Sequence, residues 1–420
     1  MSEARWILDN RTTLYSNCLS ITTILKCLIS LEAKVLLPDI RLKARGRRSG
    51  LFFSMKALLL LLVSSLALAK PDPLELQIAG NKMRLHGDHA GAEVIYQRLI
   101  TEYPDDAIGH VFNLNTLLTK LTWDPRNTQY DLQIRKDADA ALAICERVIA
   151  NNPRDHSAYY NCGQTHLTMS YLSAMRGEYY PSGRHGNLAI KQLEKTLAIK
   201  PTLVEAKMHL GVAYYYADNL PPFLKLMSWF LWFIPRGNPD KSFPYLEQVV
   251  LYGGPFSDVA KYIYADLLAG EGPAQNQKAT SMLQELSDTY PGNQRFRLRY
   301  ISLLLSQQLN HETIAAGNSF LRDSDDEIAS DLVRLWISRA HLALNQYELA
   351  SKSFLRIDTE RAKGLPPWGW HSLLLTQGQL ADLNGDRTTA VSAYQQIIEI
   401  SKRDYVSSAV IEDAERGLQR

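Results

Sequence analysis

Residues 187–216 read NLAIKQLEKTLAIKPTLVEAKMHLGVAYYY, and the rest of the chain can be read outward from this stretch. Ala189, Leu193 and Leu197 recur at four-residue steps, so they line one face of a helix. Pro201 closes that helix, because proline has no N–H to donate and its ring collides with the preceding turn. Ala206, Leu210, Gly211 and Tyr214 share a face of a second helix that follows at once, and Gly211 lets a neighbouring helix approach closely. Neither helix can bury its apolar face alone, so recurrence of the unit decides the architecture.

The unit does recur. Small residues fall at Ala92, Ala141, Ala189, Ser242, Ala279, Ala316, Ala350 and Ala390. Four residues on lie Tyr96, Cys145, Leu193, Leu246, Leu283, Phe320, Phe354 and Tyr394, and twelve on lie Pro104, Pro153, Pro201, Gly254 and Pro291. With Leu210-Gly211-Val212-Ala213-Tyr214, and with Gln377-Gly378 leading through Gly385-Asp386 to Ala390 and Tyr394, these offsets resemble the tetratricopeptide repeat family. The resemblance covers most of the chain. It implies an all-α fold, a right-handed α-solenoid of about eight helix-turn-helix units, and a function in binding rather than catalysis.

Successive small residues are 49, 48, 53, 37, 37, 34 and 40 apart, against a family period of about 34, so the first three intervals carry extra chain. The additions lie at residues 115–139, 168–187 and 217–241, which predicts three long hairpins projecting from one side of the stack. The first contains Thr122-Trp123-Asp124-Pro125-Arg126-Asn127, a tip loop by its turn residues. The second, YLSAMRGEYYPSGRHGN, is expected to continue one helix to about Tyr179, break at Pro181-Ser182-Gly183 and restart near Leu188.

The third, DNLPPFLKLMSWFLWFIPRGNPDK, is the most apolar part of the chain beyond the leader. Three readings stand for it: local core, a membrane-surface helix with Phe223, Trp229 and Trp232 bordered by Arg236, or a partner-binding patch. Leu220-Pro221, Phe223-Leu224-Lys225, Pro235-Arg236-Gly237 and Asp240-Lys241 before Tyr245-Leu246-Glu247 are similar to the long hairpin of bacterial relatives of the tetratricopeptide repeat protein thirty-nine family. Asn238-Pro239 and Lys241 depart from that pattern.

The formal net charge of +2 conceals a division. Ten of the 46 Lys/Arg and four of the 44 Asp/Glu precede residue 70, leaving the remainder mildly acidic, which gives no electrostatic case for nucleic acid as a partner. Met55-Lys56, the apolar run ALLLLLVSSLAL and Ala67-Leu68-Ala69 form a signal-peptide pattern, too short for a membrane span. The expected organisation is an upstream leader at 1–54, a signal peptide at 55–69, a solenoid at 70–401 with longer hairpins at 105–254, and a capping helix at 402–420. Export to the periplasm follows as an expectation. Cys145 and Cys162 would then be either a disulfide or two buried thiols.

Catalytic patterns are missing: there is no G-x-S-x-G, no phosphate-binding loop, no C-x2-C, and His311-Glu312 lacks a second histidine. Asp325-Asp326-Glu327 reads as a helix start, and no cofactor or metal is expected. The sequence therefore predicts a non-catalytic scaffold for a protein or peptide partner. One surface is the concave face, at Tyr160, Gln164, Met208, Val212, Arg339 and Gln379. The other is the hairpin lobe, at Tyr179, Tyr180, Arg184 and His185, with the apolar third hairpin. The alternatives are a membrane-surface or lipid-associated protein using residues 220–235, and an enzyme centred on His185, the one histidine in an irregular polar setting.

Overall fold

The structure, a computed structural model, describes residues 71–122, 124–220 and 235–420. The stretches expected to be a leader and a signal peptide, and the apolar run with Phe223, Trp229 and Trp232, lie outside the described residues. Among the described residues the regular elements are helical. In chain order they are α1 (Pro73–Leu85), α2 (His89–Glu102), α3 (Ile108–Leu121), α4 (Asp131–Asn151), α5 (His156–Met175), α6 (Tyr179–Ile199), α7 (Val204–Asp218) and α8 (Pro239–Tyr252). There follow α9 (Ser257–Gly270), α10 (Pro273–Thr289), α11 (Gln294–Ser306), α12 (Asn310–Asp323), α13 (Glu327–Ala343), α14 (Tyr347–Phe354), a 3-10 turn (Arg361–Gly364), α15 (Pro367–Leu383), α16 (Arg387–Ser401) and α17 (Ser408–Leu418).

Each helix packs on the next. Odd-numbered helices also touch one another, α1 on α3, α3 on α5, α5 on α7, and again from α11 through α17. Between these runs α7, α9 and α11 share one core cluster, with Met208, Ala260, Tyr264 and Leu303, so the odd helices form an inner layer and the even ones an outer layer. Side-chain caps set many of the starts: Asp88, Asp155, Asp326 and Asp386 each accept a backbone N–H from the first turn of the helix they precede.

The ruler residues lie where the layers meet. Ala92, Ala141, Ala189, Ser242, Ala279, Ala350 and Ala390 are buried, and so are Leu193, Leu246 and Leu283 four positions on. Each such leucine stabilises the stack by about 2 kcal/mol through apolar burial. Small residues matter because the backbones approach closely: a Cβ on Gly211 would lie 2.7 Å from the Ser242 carbonyl oxygen. At the far end the Tyr394 ring is held between two glycines, since a Cβ on either Gly378 or Gly417 would lie 2.4 Å from it. α17 packs on α15 and α16, starting at Ser408.

Three expectations are corrected. The second insertion has no break at Pro181: α6 runs unbroken from Tyr179, and the turn comes earlier, at residues 176–178, where Gly177 takes φ +72°. Pro181 is tolerated because it stands in the first turn, where no intrahelical N–H is required. In the sixth unit Ala316 is only half-buried, and the close contact passes to Gly317, whose Cβ would lie 2.8 Å from Ile337 Cγ1. Gly364-Leu365-Pro366-Pro367-Trp368-Gly369-Trp370 reads by its glycines and prolines as a turn carrying two tryptophans; instead Trp368 and Trp370 sit in the first turn of α15, with Trp368 stacked on Trp336 at 6.3 Å.

Cys145 of α4 and Cys162 of α5 form a disulfide with their Cα atoms 5.9 Å apart, both fully buried. Of the two alternatives open from sequence, the bonded one is present.

Candidate functional site

The first turn of the array closes on itself. Asn293 caps α11 by accepting the backbone N–H of Arg295 and Phe296, and its Nδ2 donates to the carbonyls of Arg84 and Leu85 at the end of α1, at 3.2 and 3.1 Å. Leu85 packs with Leu286, Tyr290 and Phe296, and the His86 and Tyr290 rings meet edge to face at 5.1 Å. Arg295 reaches further, donating to the Thr119 carbonyl and the Thr122 hydroxyl at the end of α3 and to Tyr262 at 3.1 Å. A second crossing, Arg126 to Asp404 at 2.9 Å, is half exposed on both sides and contributes only about 0–1 kcal/mol.

The closed turn lines a partly open cavity of about 440 Å³, walled mainly by odd helices from α1 to α11. Its apolar wall includes Phe112, Leu118, Leu167, Val212 and Ile263. Tyr160 and His209 meet on it with a hydroxyl-to-Nδ1 distance of 3.1 Å. Burial lowers the His209 pKa to about 4 against a backbone hydrogen bond to Glu205 that raises it, so the imidazole is neutral near pH 7. Burial likewise pushes the Tyr160 hydroxyl well above its usual range.

The polar part of the wall is rich in donors. Gln164 is 3% exposed, and its Oε1 accepts from Asn115 Nδ2 at 3.1 Å while its Nε2 has no partner among the described residues. Arg84 lies across the Phe112 ring at 5.7 Å and donates weakly to Asn81 Oδ1 and Thr119 Oγ1 at 3.5 and 3.4 Å. Desolvation, and then the charge of Arg295, bring its pKa down to about 10. Among the described residues neither Arg84 nor Arg295 pairs with a carboxylate. The acid in this wall, Asp266, is engaged by Arg299 Nε at 2.5 Å.

Of the concave residues expected from sequence, Tyr160, Gln164, Met208 and Val212 all line this cavity. Arg339 and Gln379 belong to α13 and α15, beyond the closed turn; Arg339 donates to Ser372 at 3.4 Å. In the lobe, Tyr179 and Tyr180 are 60% and 52% exposed on the first turn of α6, Arg184 is exposed, and Glu178 is bound by Arg135 at 2.8 Å. His185 does not stand open: its Nδ1 is 2.9 Å from His166 Nδ1, and burial, then Arg184, lowers its pKa. Arg236 is exposed just before α8. Sequence reading missed Arg84, Arg295 and Asn293. Pro291-Gly292-Asn293 is legible as a helix start, but its partner lies more than two hundred residues away, and no local pattern encodes that.

Among the described residues no group of three or more His, Cys, Asp or Glu could hold a metal ion, and no helix is long and apolar enough to cross a membrane. A family model described as Tetratricopeptide repeat matches residues 75–106, which take in most of α1 and all of α2. No curated protein matches the chain. Among solved structures it is similar to Pseudomonas aeruginosa pilF, at 16% identity over 61% of this chain and 98% of that one, TM-score 0.41. It is also similar to a thermophilic TPR protein of Thermus thermophilus, at 16% identity over 56% and 100%, TM-score 0.35, and to yeast Tom70, at 10% identity over 82% and 95%, TM-score 0.26. The chain is an all-α array of helical hairpins with a tetratricopeptide repeat at its described start.

Proposed function

We propose that this chain is an exported, non-catalytic tetratricopeptide scaffold whose inner face receives a binding partner, a protein or a peptide in the first instance. One observation carries the reading: Tyr160, Gln164, Met208 and Val212, from two successive inner helices, converge on one cavity in which a buried amide donor lacks a partner among the described residues. A buried donor left unmatched costs about 1–3 kcal/mol, so such a wall suits a ligand better than it suits a core. The exposed Tyr179 and Tyr180 provide a second contact at the hairpin tips. The Cys145–Cys162 disulfide supports an oxidising compartment and agrees with the signal-peptide pattern. His185 is packed against His166 rather than standing open, and the proposed function does not rest on it.

A photo-crosslinking residue at Val212 or at Tyr179 tests the reading in cells. Adducts with a defined partner are expected from these two positions and none from Lys352 on the outer layer. Equal labelling at all three would remove the inner face as the binding surface. Fractionation and amino-terminal sequencing of the mature protein test export; cytoplasmic retention of an uncleaved chain refutes it.

A further inference from the structure

Within the inner face taken above as the binding surface, the cavity itself suits a small ligand rather than a protein or peptide chain, and, given that it is a binding site as argued above, its chemistry narrows that occupant. We propose that it holds a small amphipathic anion: an oxyanion head group, carboxylate or phosphate, seated between Arg84 and Arg295, with an apolar body along the inner wall.

Three observations converge. First, two guanidinium groups that both reach Thr119, Arg84 at its hydroxyl and Arg295 at its carbonyl, line one cavity; neither pairs with a carboxylate among the described residues, and the acid in that wall is already bound by Arg299. Uncompensated charge in a desolvated wall calls for a counterion, and guanidinium forks match the oxygens of carboxylate and phosphate. Second, the buried side-chain atom of this wall that has no partner among the described residues is a donor, the Gln164 Nε2, whose amide is oriented by Asn115. A peptide backbone would need acceptors as well as donors, whereas the two cations and the unmatched amide gathered here, Arg84, Arg295 and Gln164 Nε2, are donors. Third, about 440 Å³ falls within the range of roughly 300–1,000 Å³ for small-molecule sites, whereas a specific protein interface needs on the order of 1,000 Å² of contact. Phe112, Leu118, Leu167, Val212 and Ile263 give the remainder of such a ligand an apolar surface.

The head group also has a structural consequence. Arg295 is the residue that ties α11 to the end of α3, and Arg84 ends the helix whose carbonyls Asn293 holds. An anion between them screens their repulsion at the closure, so binding and closure reinforce each other.

Calorimetric titration of the full mature chain tests this with dodecanoate, dodecyl phosphate and dodecanol, kept below the concentrations at which they aggregate. At least one of the two anions is expected to bind about tenfold or more tightly than the alcohol, and their ratio assigns the head group. Arg84→Gln is expected to weaken the anion by about tenfold while leaving the alcohol unchanged, and Arg84→Lys to restore most of the affinity. The lysine variant covers the case in which the glutamine variant does not fold. Val212→Trp, which fills the wall, is expected to abolish binding of all three. Anion and alcohol binding alike, or an equal loss of both in Arg84→Gln, overturns the proposal. So does a short glutamate-rich peptide that binds where dodecanoate and dodecyl phosphate do not. Loss in Val212→Trp without head-group dependence removes the oxyanion class but keeps the cavity as a binding site. Amphiphile binding that Val212→Trp leaves intact removes this proposal alone, the crosslinks at Val212 judging the cavity.

Discussion

Gly87 and Gly292 meet backbone to backbone across the closed turn. A Cβ on Gly87 would lie 2.5 Å from the Gly292 carbonyl oxygen, and one on Gly292 would lie 2.9 Å from the carbonyl of His86. Gly87 also takes φ +86°, so Gly292 is the position at which close approach alone is tested. Gly292→Ala is expected to push the two ends apart, costing about 1–3 kcal/mol. Small-angle scattering should report a larger radius of gyration. A variant with unchanged melting and unchanged scattering would show that the closure does not depend on this contact.

The disulfide joins residues 17 apart in sequence. Cross-linking a loop of that size stabilises by about 3 kcal/mol in the chain-entropy account. Cys145→Ala/Cys162→Ala should therefore lower the melting temperature by several degrees, measured by calorimetry, with the helical content retained at room temperature. Reductant should destabilise the wild type and leave the double variant unaffected.

Acidification should loosen the inner layer through two histidines. Burial brings both His166 and His209 down to a pKa of about 4, from an ordinary value of 6.5. In the unfolded chain they protonate first, so the neutral folded form is favoured above about pH 6.5, and that advantage is lost as pH falls toward 4. Each group accounts for about 3 kcal/mol over that window. Urea titrations at pH 7.5 and pH 4.5 should show a larger drop for the wild type than for His166→Asn/His209→Gln, whose difference removes the carboxylate contribution common to both. Parallel pH dependence in the two proteins would contradict this assignment.

Gly417→Ala tests the far end. The new methyl would stand 2.4 Å from the Tyr394 ring, which Gly378 already confines from the other side. The expected result is local: α17 lifts, hydrogen exchange quickens through residues 408–418, and the cavity is untouched, so amphiphile titration is unaltered. Exchange that stays slow would mean that the ring yields instead.

Most of the array is legible in the sequence because its contacts are between neighbours. Ala189, Leu193, Leu210 and Gly211 pack on helices adjacent in the chain, and helical periodicity records such packing directly. The second insertion misled because Pro181 is a stop signal in the interior of a helix and none in its first turn. The shift from Ala316 to Gly317 is a rotation of a single position, which a pattern tolerant of small residues cannot distinguish. Tyr160, Gln164, Met208 and Val212 were readable as an inner face, since they share the side of their helices opposite the outer layer. Arg84 and Arg295 were not readable, because each is an ordinary surface arginine until closure brings the two ends of a long chain segment together.

That closure also bears on how the molecule is made. An array with contacts only between adjacent hairpins has low contact order and folds by extension from any point. The hydrogen bonds from Asn293 to Arg84 and Leu85 span 209 and 208 residues, and they cannot form until every hairpin between has folded. The hairpin of α1 and α2, with α1 the first of the described helices, is thus the one whose outer contacts are completed late. Refolding should show a slow final phase that reports on the α1 end, after most of the helix signal has returned.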